Sequence, residues 1–148
     1  MNKKELIRLA FEAQKQAYVP YSHFAVGAAL LAKNGKVYTG CNIESASYTP
    51  TQCAERTALG KAVSEGTREF SMIAVVGSKQ GMRNTLVTSP CGVCRQMLYE
   101  FCSPHMPVIM AKSEDDFVEM TLGQLLPLGF GPLNLTEDMM TPLEQEEK

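Results

Sequence analysis

Three thiols, a carboxyl and a guanidinium fall into two short runs of this chain. Cys91-Gly92-Val93-Cys94 sets two thiols three residues apart. At the start of a helix that spacing puts both sulfurs on one side of the first turn. Such a pair serves as half of a tetrahedral zinc site, as a redox couple or as two small buried side chains. Cys53-Ala54-Glu55-Arg56 shifts the balance, because a third thiol opens a second helical run and carries an acid two residues on. Five cysteines make an odd count, and a thioredoxin-like role for Cys91 and Cys94 would leave Cys53 and Glu55 without a task. Metal ligation by Cys53, Cys91 and Cys94 is therefore the leading expectation.

Three protein ligands leave a fourth position of zinc open for a water that loses its proton near neutral pH, whereas four cysteines would close the site. Cys41 and Cys102 are the two further thiols that could close it. That is the rival reading, a non-catalytic structural zinc module serving protein interaction, although both residues suit small buried apolar roles. Three thiolates outweigh the charge of the ion and weaken it as a Lewis acid. The positive ends of two helices, and Arg56 donating to a thiolate, are expected to draw charge back from the sulfurs. Glu55 is the expected proton shuttle, and apolar surroundings beside a net-negative site would raise its pKa.

These runs need elements to hold them. Leu6, Leu9, Ala10, Ala13 and Ala17 make one apolar stripe and predict a helix from Lys3 to Ala17, ended by Pro20. Ala25 to Leu31 is apolar without alternation, as in a strand covered on both faces. Asn34-Gly35 predicts a type I′ hairpin turn with both residues at positive φ, leading into a second strand from Val37 to Asn42. A helix follows from Cys53 to Glu65, stopped at Gly66, and a third strand from Met72 to Val76. A long polar connection, Gly77 to Pro90, precedes a helix that begins close to Cys91 and carries Val93, Met97, Leu98 and Phe101. Val108 to Ala111 is the fourth strand. Ser113 to Asp116 is too short for a parallel crossover, so Phe117 to Met120 should return antiparallel. The order builds an α/β fold, a three-layer α/β/α sandwich with a mixed five-stranded sheet, in which both central helix N-termini can face one crevice. The domain is expected over 1–130, with an acidic tail over 131–148.

Composition narrows the partners. The chain has 148 residues, 45% of them hydrophobic and 20% charged, with 14 basic against 16 acidic and a pI near 5.7. That balance excludes a disordered chain and gives no general basic footprint for nucleic acid. No apolar run approaches the ~18 residues of a membrane span, and Met1 to Glu5 leads into an amphipathic segment rather than a signal peptide. A cytoplasmic protein with no membrane partner is expected. A domain of this size buries roughly 68–70% of its unfolded surface, so it can fold without a metal.

At its chemical residues the sequence resembles the short-chain, homotetrameric cytidine deaminase family of zinc enzymes. The likeness is carried by four blocks in the family's order, from Pro20 to Leu30, Gly40 to Tyr48, Cys53 to Ala58 and Pro90 to Gln96, with Leu125-Leu126-Pro127 beyond them. Zinc deaminases begin the motif with either His or Cys, and their Glu is not a ligand. The resemblance implies hydrolytic deamination of cytidine and 2′-deoxycytidine to uridine and 2′-deoxyuridine with release of ammonia, in pyrimidine salvage. It implies that Asn42 and Glu44 hold the ribose hydroxyls, that Phe24 flanks the pyrimidine and that Ala54 offers backbone hydrogen bonds to the base. It implies further that Tyr48 and Phe130 help complete a neighbouring subunit's pocket. A related substrate such as blasticidin S is the alternative within the class. Editing deaminases of RNA or DNA usually begin the motif with His, and the mild acidity argues against them. The chain departs from the family at Ser45, at Gly60 and in the longer Gly77 to Pro90 connection. His23 and His105 fall at no ligand position and read as surface or loop residues.

Overall fold

The structure, a computed structural model, describes residues 1–143. Its strands are β1 (Phe24–Ala32), β2 (Val37–Cys41), β3 (Phe70–Lys79), β4 (Pro107–Ala111) and β5 (Phe117–Thr121). They form one mixed sheet in the order β2-β1-β3-β4-β5. Only β3 and β4 run parallel, joined through a helix, and β4 returns to β5 antiparallel as expected. Helix α1 (Lys3–Gln14) covers one face of the sheet, while α2 (Ala54–Ser64) and α3 (Gly92–Phe101) cover the other. The three layers are those expected from the order of elements.

Alternation along each strand decides which helix it meets. Ala29, Ala74, Val76 and Ile109 pack with Leu6, Ile7 and Ala10 of α1. Ala28, Leu30, Ile73, Val75, Val108 and Met110 pack with Ala54, Ala58, Leu59 and Ala62 of α2 and Leu98 of α3. Fully burying one of the large aliphatic side chains contributes about 1.5–3 kcal/mol. Two glycines set how closely helices approach. A Cβ at Gly27 would lie 2.0 Å from Ala10 O, and one at Gly40 would lie 2.4 Å from Ala54 O and 2.6 Å from Ala58 N. The first turn of α2, which carries Glu55, thus rests directly on β2.

Several boundaries differ from the sequence expectation. α1 ends at Gln14, not Ala17, because the amides of Lys15, Gln16 and Ala17 bond back only three residues. That tight turn brings Tyr18 alongside Ile43, where Tyr18 N donates to Asn42 O. The Asn34-Gly35 turn is not type I′. Gly35 alone takes a left-handed φ of +91°, while the Asn34 side chain accepts from Lys36 N, in a three-residue loop closed by Ala32 N donating to Lys36 O. β3 is longer than Met72–Val76, since pairing with β1 continues to Phe70 at one end and through Gly77, Ser78 and Lys79 at the other. A short α4 (Leu122–Leu125) was not legible in the apolar pattern and rests on a Thr121/Gln124 capping box. Within the expected tail, Gly131 is buried against the Tyr99 ring and Pro132–Leu135 forms a 3-10 turn. Its acidic end, 144–148, lies outside the described residues. No helix among the described residues is long and apolar enough to cross a membrane.

Candidate metal centre and active site

Local backbone chemistry delivers each cysteine. Asn42 leaves β2 because its side chain takes over the pairing, accepting from Val26 N and donating to Phe24 O, both at 2.9 Å. Ile43 and Gln52 then exchange two 2.9 Å backbone bonds, which closes the intervening loop and sets Cys53 at the N-cap of α2. Cys91 takes the same place on α3, after buried Pro90, and Cys94 follows one turn later. Neither capping thiol is engaged by the amides of its own helix, so both sulfurs remain available.

The sulfurs of Cys53 and Cys91 lie 3.7 Å apart, and those of Cys53, Cys91 and Cys94 all lie within 4.8 Å of one another. Metal–sulfur bonds of about 2.3 Å in a tetrahedron require sulfurs about 3.8 Å apart. The trio therefore fits zinc in both spacing and softness. Among the described residues it is the one cluster of His, Cys, Asp and Glu able to hold a metal ion. Cys41, Cys102, His23 and His105 lie outside it, so the closed four-cysteine site lacks its fourth thiol. Burial pushes the Cys102 thiol up to about 12, as suits an inert core residue. Cys94 is buried, Cys53 half-buried and Cys91 exposed, so the trio runs from the core to the surface.

Charge around the trio is shared unevenly. Cys53 is brought down to about 5, first by a hydrogen bond from Cys94 and then, against a burial penalty, by Arg56 and Cys91. Cys94, as donor to Cys53, is pushed up. Arg56 Nη2 donates to Cys53 Sγ at 3.3 Å, a bond that holds the guanidinium firmly charged. Glu55 is only 4% exposed. Burial is the main reason its carboxyl is raised from 4.5 to about 7, and the charge of Cys53 adds to it.

A recess of about 420 Å³ lies beside the loop that leads to Cys53, lined by Tyr21, Ser22, Glu44, Tyr48 and Thr51. Glu44 Oε1 accepts from the amides of Tyr21 and Ser22, each at 3.1 Å. The Ser22 side chain and these amides hold the carboxyl below its usual range, so it faces the recess as an ionised acceptor. Glu44 and Tyr48 are thus brought together here. Asn42, Phe24, Ala54 and Phe130 do not line this recess. The Asn42 amide is bonded to β1, Ala54 is fully buried over Gly40, and the Phe24 ring abuts Gly77. Tyr48 is 75% exposed at a left-handed φ of 63°, and Phe130 is 57% exposed. Sequence reasoning missed Arg95, whose guanidinium ties α3 to two other segments by donating to Ser89 and Pro90 and to Leu125. Its place directly after Cys94 was the available signal.

An α/β/α sandwich with two helix N-termini converging on a zinc-competent thiol trio and a buried acid defines a zinc deaminase type of enzyme. Comparison with known proteins narrows the class. Residues 1–110 match the family described as "Cytidine and deoxycytidylate deaminase zinc-binding region", and the chain belongs to that family. A cytidine deaminase of Sporosarcina psychrophila is 48% identical over 136 residues, 92% of this chain and 96% of that protein. The crystal structure of cytidine deaminase from Burkholderia pseudomallei aligns with a TM-score of 0.80 at 45% identity, covering 88% of this chain and 100% of that one. A blasticidin-S deaminase of Bacillus cereus is more distant, 32% identical over 85% of this chain and 90% of its own length.

Proposed function

We propose that this chain catalyses the hydrolytic deamination of cytidine and 2′-deoxycytidine to uridine and 2′-deoxyuridine, releasing ammonia, in pyrimidine salvage. The observation that carries the reading is Glu55, a buried carboxyl raised to about 7, two residues from Cys53 in the thiol trio. Zinc held by Cys53, Cys91 and Cys94 would supply a water acidified to near neutral pH. Glu55, buried two residues from Cys53, takes a proton from the water and gives it to the ring nitrogen of the pyrimidine. Once the water oxygen has bonded to C4, the same carboxyl takes the remaining proton from that oxygen and gives it to the amine, which leaves C4 as ammonia. Arg56 donates to the Cys53 sulfur and draws charge back from it, which would leave a bound ion the stronger Lewis acid. Ala54 offers backbone groups to the base and Phe24 flanks it. Glu44, ionised and fixed by two amides, accepts from a ribose hydroxyl, and Asn42, with one N–H and one lone pair still free, binds the second.

The catalytic domain is residues 1–130, ahead of the tail at 131–148, and the assembly is a cytoplasmic homotetramer with shared sites. A groove of about 450 Å³ between α2 and α3, lined by Leu59, Gly60, Val63, Met97 and Phe101, supports packing between subunits. Exposed Tyr48 and Phe130 support their reaching a neighbour's pocket. The partner is a small nucleoside, not a nucleic acid or a membrane. Zinc-loaded protein is expected to consume cytidine's absorbance, and Glu55→Gln to lower the rate about 10²–10⁴-fold. Unchanged absorbance beside an active control, or full turnover by Glu55→Gln, overturns the proposal. Competition between cytidine and blasticidin S in one assay separates the substrate of the Bacillus cereus relative from that proposed for this chain.

A further inference from the structure

Arg95 takes no part in the chemistry above, yet all three nitrogens of its guanidinium donate hydrogen bonds. Nε donates to Pro90 O at 2.7 Å, Nη1 to Leu125 O at 2.8 Å and Nη2 to Ser89 Oγ at 3.1 Å. Pro90 is buried and immediately precedes Cys91, while Leu125 ends α4 and opens the run to Phe130. The peptide unit from Pro90 C=O to Cys91 N is planar, so holding that oxygen fixes the plane from which the Cys91 side chain departs. Cys53 is held otherwise, by Arg56 on its sulfur and by the Ile43/Gln52 pair behind it. Cys91 is the exposed member of the trio and has no capping bond from its own helix. A planar fork of donors can hold two carbonyls from separate segments at once, which a single ammonium does poorly.

We infer that Arg95 is a positioning residue for the metal. It holds Cys91 in register with Cys53 and Cys94, and it couples that ligand to the segment from Leu125 to Phe130. The inference rests on the trio being the zinc site. Its test is titration of the zinc-free protein with Co(II), followed by the d–d bands of the thiolate-bound ion, and with Zn(II) against a chromophoric chelator. Wild-type protein is expected to show the bands of a tetrahedral thiolate site. Arg95→Lys and Arg95→Ala are expected to bind about 10–100-fold more weakly with altered bands, and millimolar methylguanidinium is expected to restore Arg95→Ala. A wild type that binds no cobalt overturns the zinc site and the inference together. An Arg95→Lys protein that binds as wild type, even with a lower melting temperature when zinc-free, overturns the positioning role alone. Hydrogen exchange on wild-type protein tests the coupling without any variant. Zinc loading is expected to slow exchange at 126–130 as well as at 89–95, and slowing confined to 89–95 contradicts it.

Discussion

Glu55 is the charged side chain that the fold buries among the described residues, and its energetics follow from that placement. Between its ordinary 4.5 and about 7 the folded protein keeps a proton that the unfolded chain has released. The raised pKa therefore contributes stability that is complete below about 4.5 and is lost as pH rises through about 7. Cys53, held down to about 5 in the zinc-free protein, works in the opposite direction. The difference between two proteins, not the slope of either, carries the prediction. Zinc-free Glu55→Gln should become more stable relative to zinc-free wild type on going from pH 5 to pH 8, by an amount on the order of a few kcal/mol. Calorimetric melts at the two pH values measure this, and a difference that does not change with pH contradicts a buried, proton-holding Glu55.

At the scale of the element, the docking of α2 on β2 decides where Cys53 and Glu55 sit. A Cβ at Gly40 meets the backbone of α2 at two points, Ala54 O and Ala58 N, which cannot give way as a flexible side chain would. Gly40→Ala should therefore lower the melting temperature and weaken zinc binding together, read by thermal melts and chelator competition. Gly60 sits inside the same helix with nothing within 4 Å of a built Cβ. Gly60→Ala adds only about 1 kcal/mol of helix propensity, far from the trio's backbone supports, and should leave zinc affinity unchanged in the same measurements. The contrast shows what a sequence displays and what it hides. Apolar stripes marked α1 and α3, helix-forming residues α2, apolar runs and turn lengths the strands, and cysteine spacing the trio, because all of these are local patterns. The close approach at Gly40 and the Arg95 tie depend on residues far apart in the chain, so spacing does not reveal them. Asn42 looked like the end of a strand, yet its side chain replaces the backbone pairing there. The hairpin turn was misread because Asn-Gly allows two left-handed residues but this loop needs only one.

For the molecule as a whole, two cores on opposite faces of the sheet hold the fold, and neither is built on the sulfurs of Cys53 or Cys91. The pairs Lys3–Glu119, Lys4–Asp115 and Arg8–Glu114 join α1 to the β4–β5 hairpin but are exposed and add little. Chelation should therefore leave a cooperative melt and intact secondary structure by circular dichroism, with a lower melting temperature that recovers on zinc addition. A structural zinc module would unfold instead. The open three-sulfur site is tested most directly by X-ray absorption at the zinc edge of the loaded protein. The account predicts three sulfurs at about 2.3 Å and one lighter oxygen or nitrogen neighbour at about 2.0 Å; four sulfurs around the ion would contradict it.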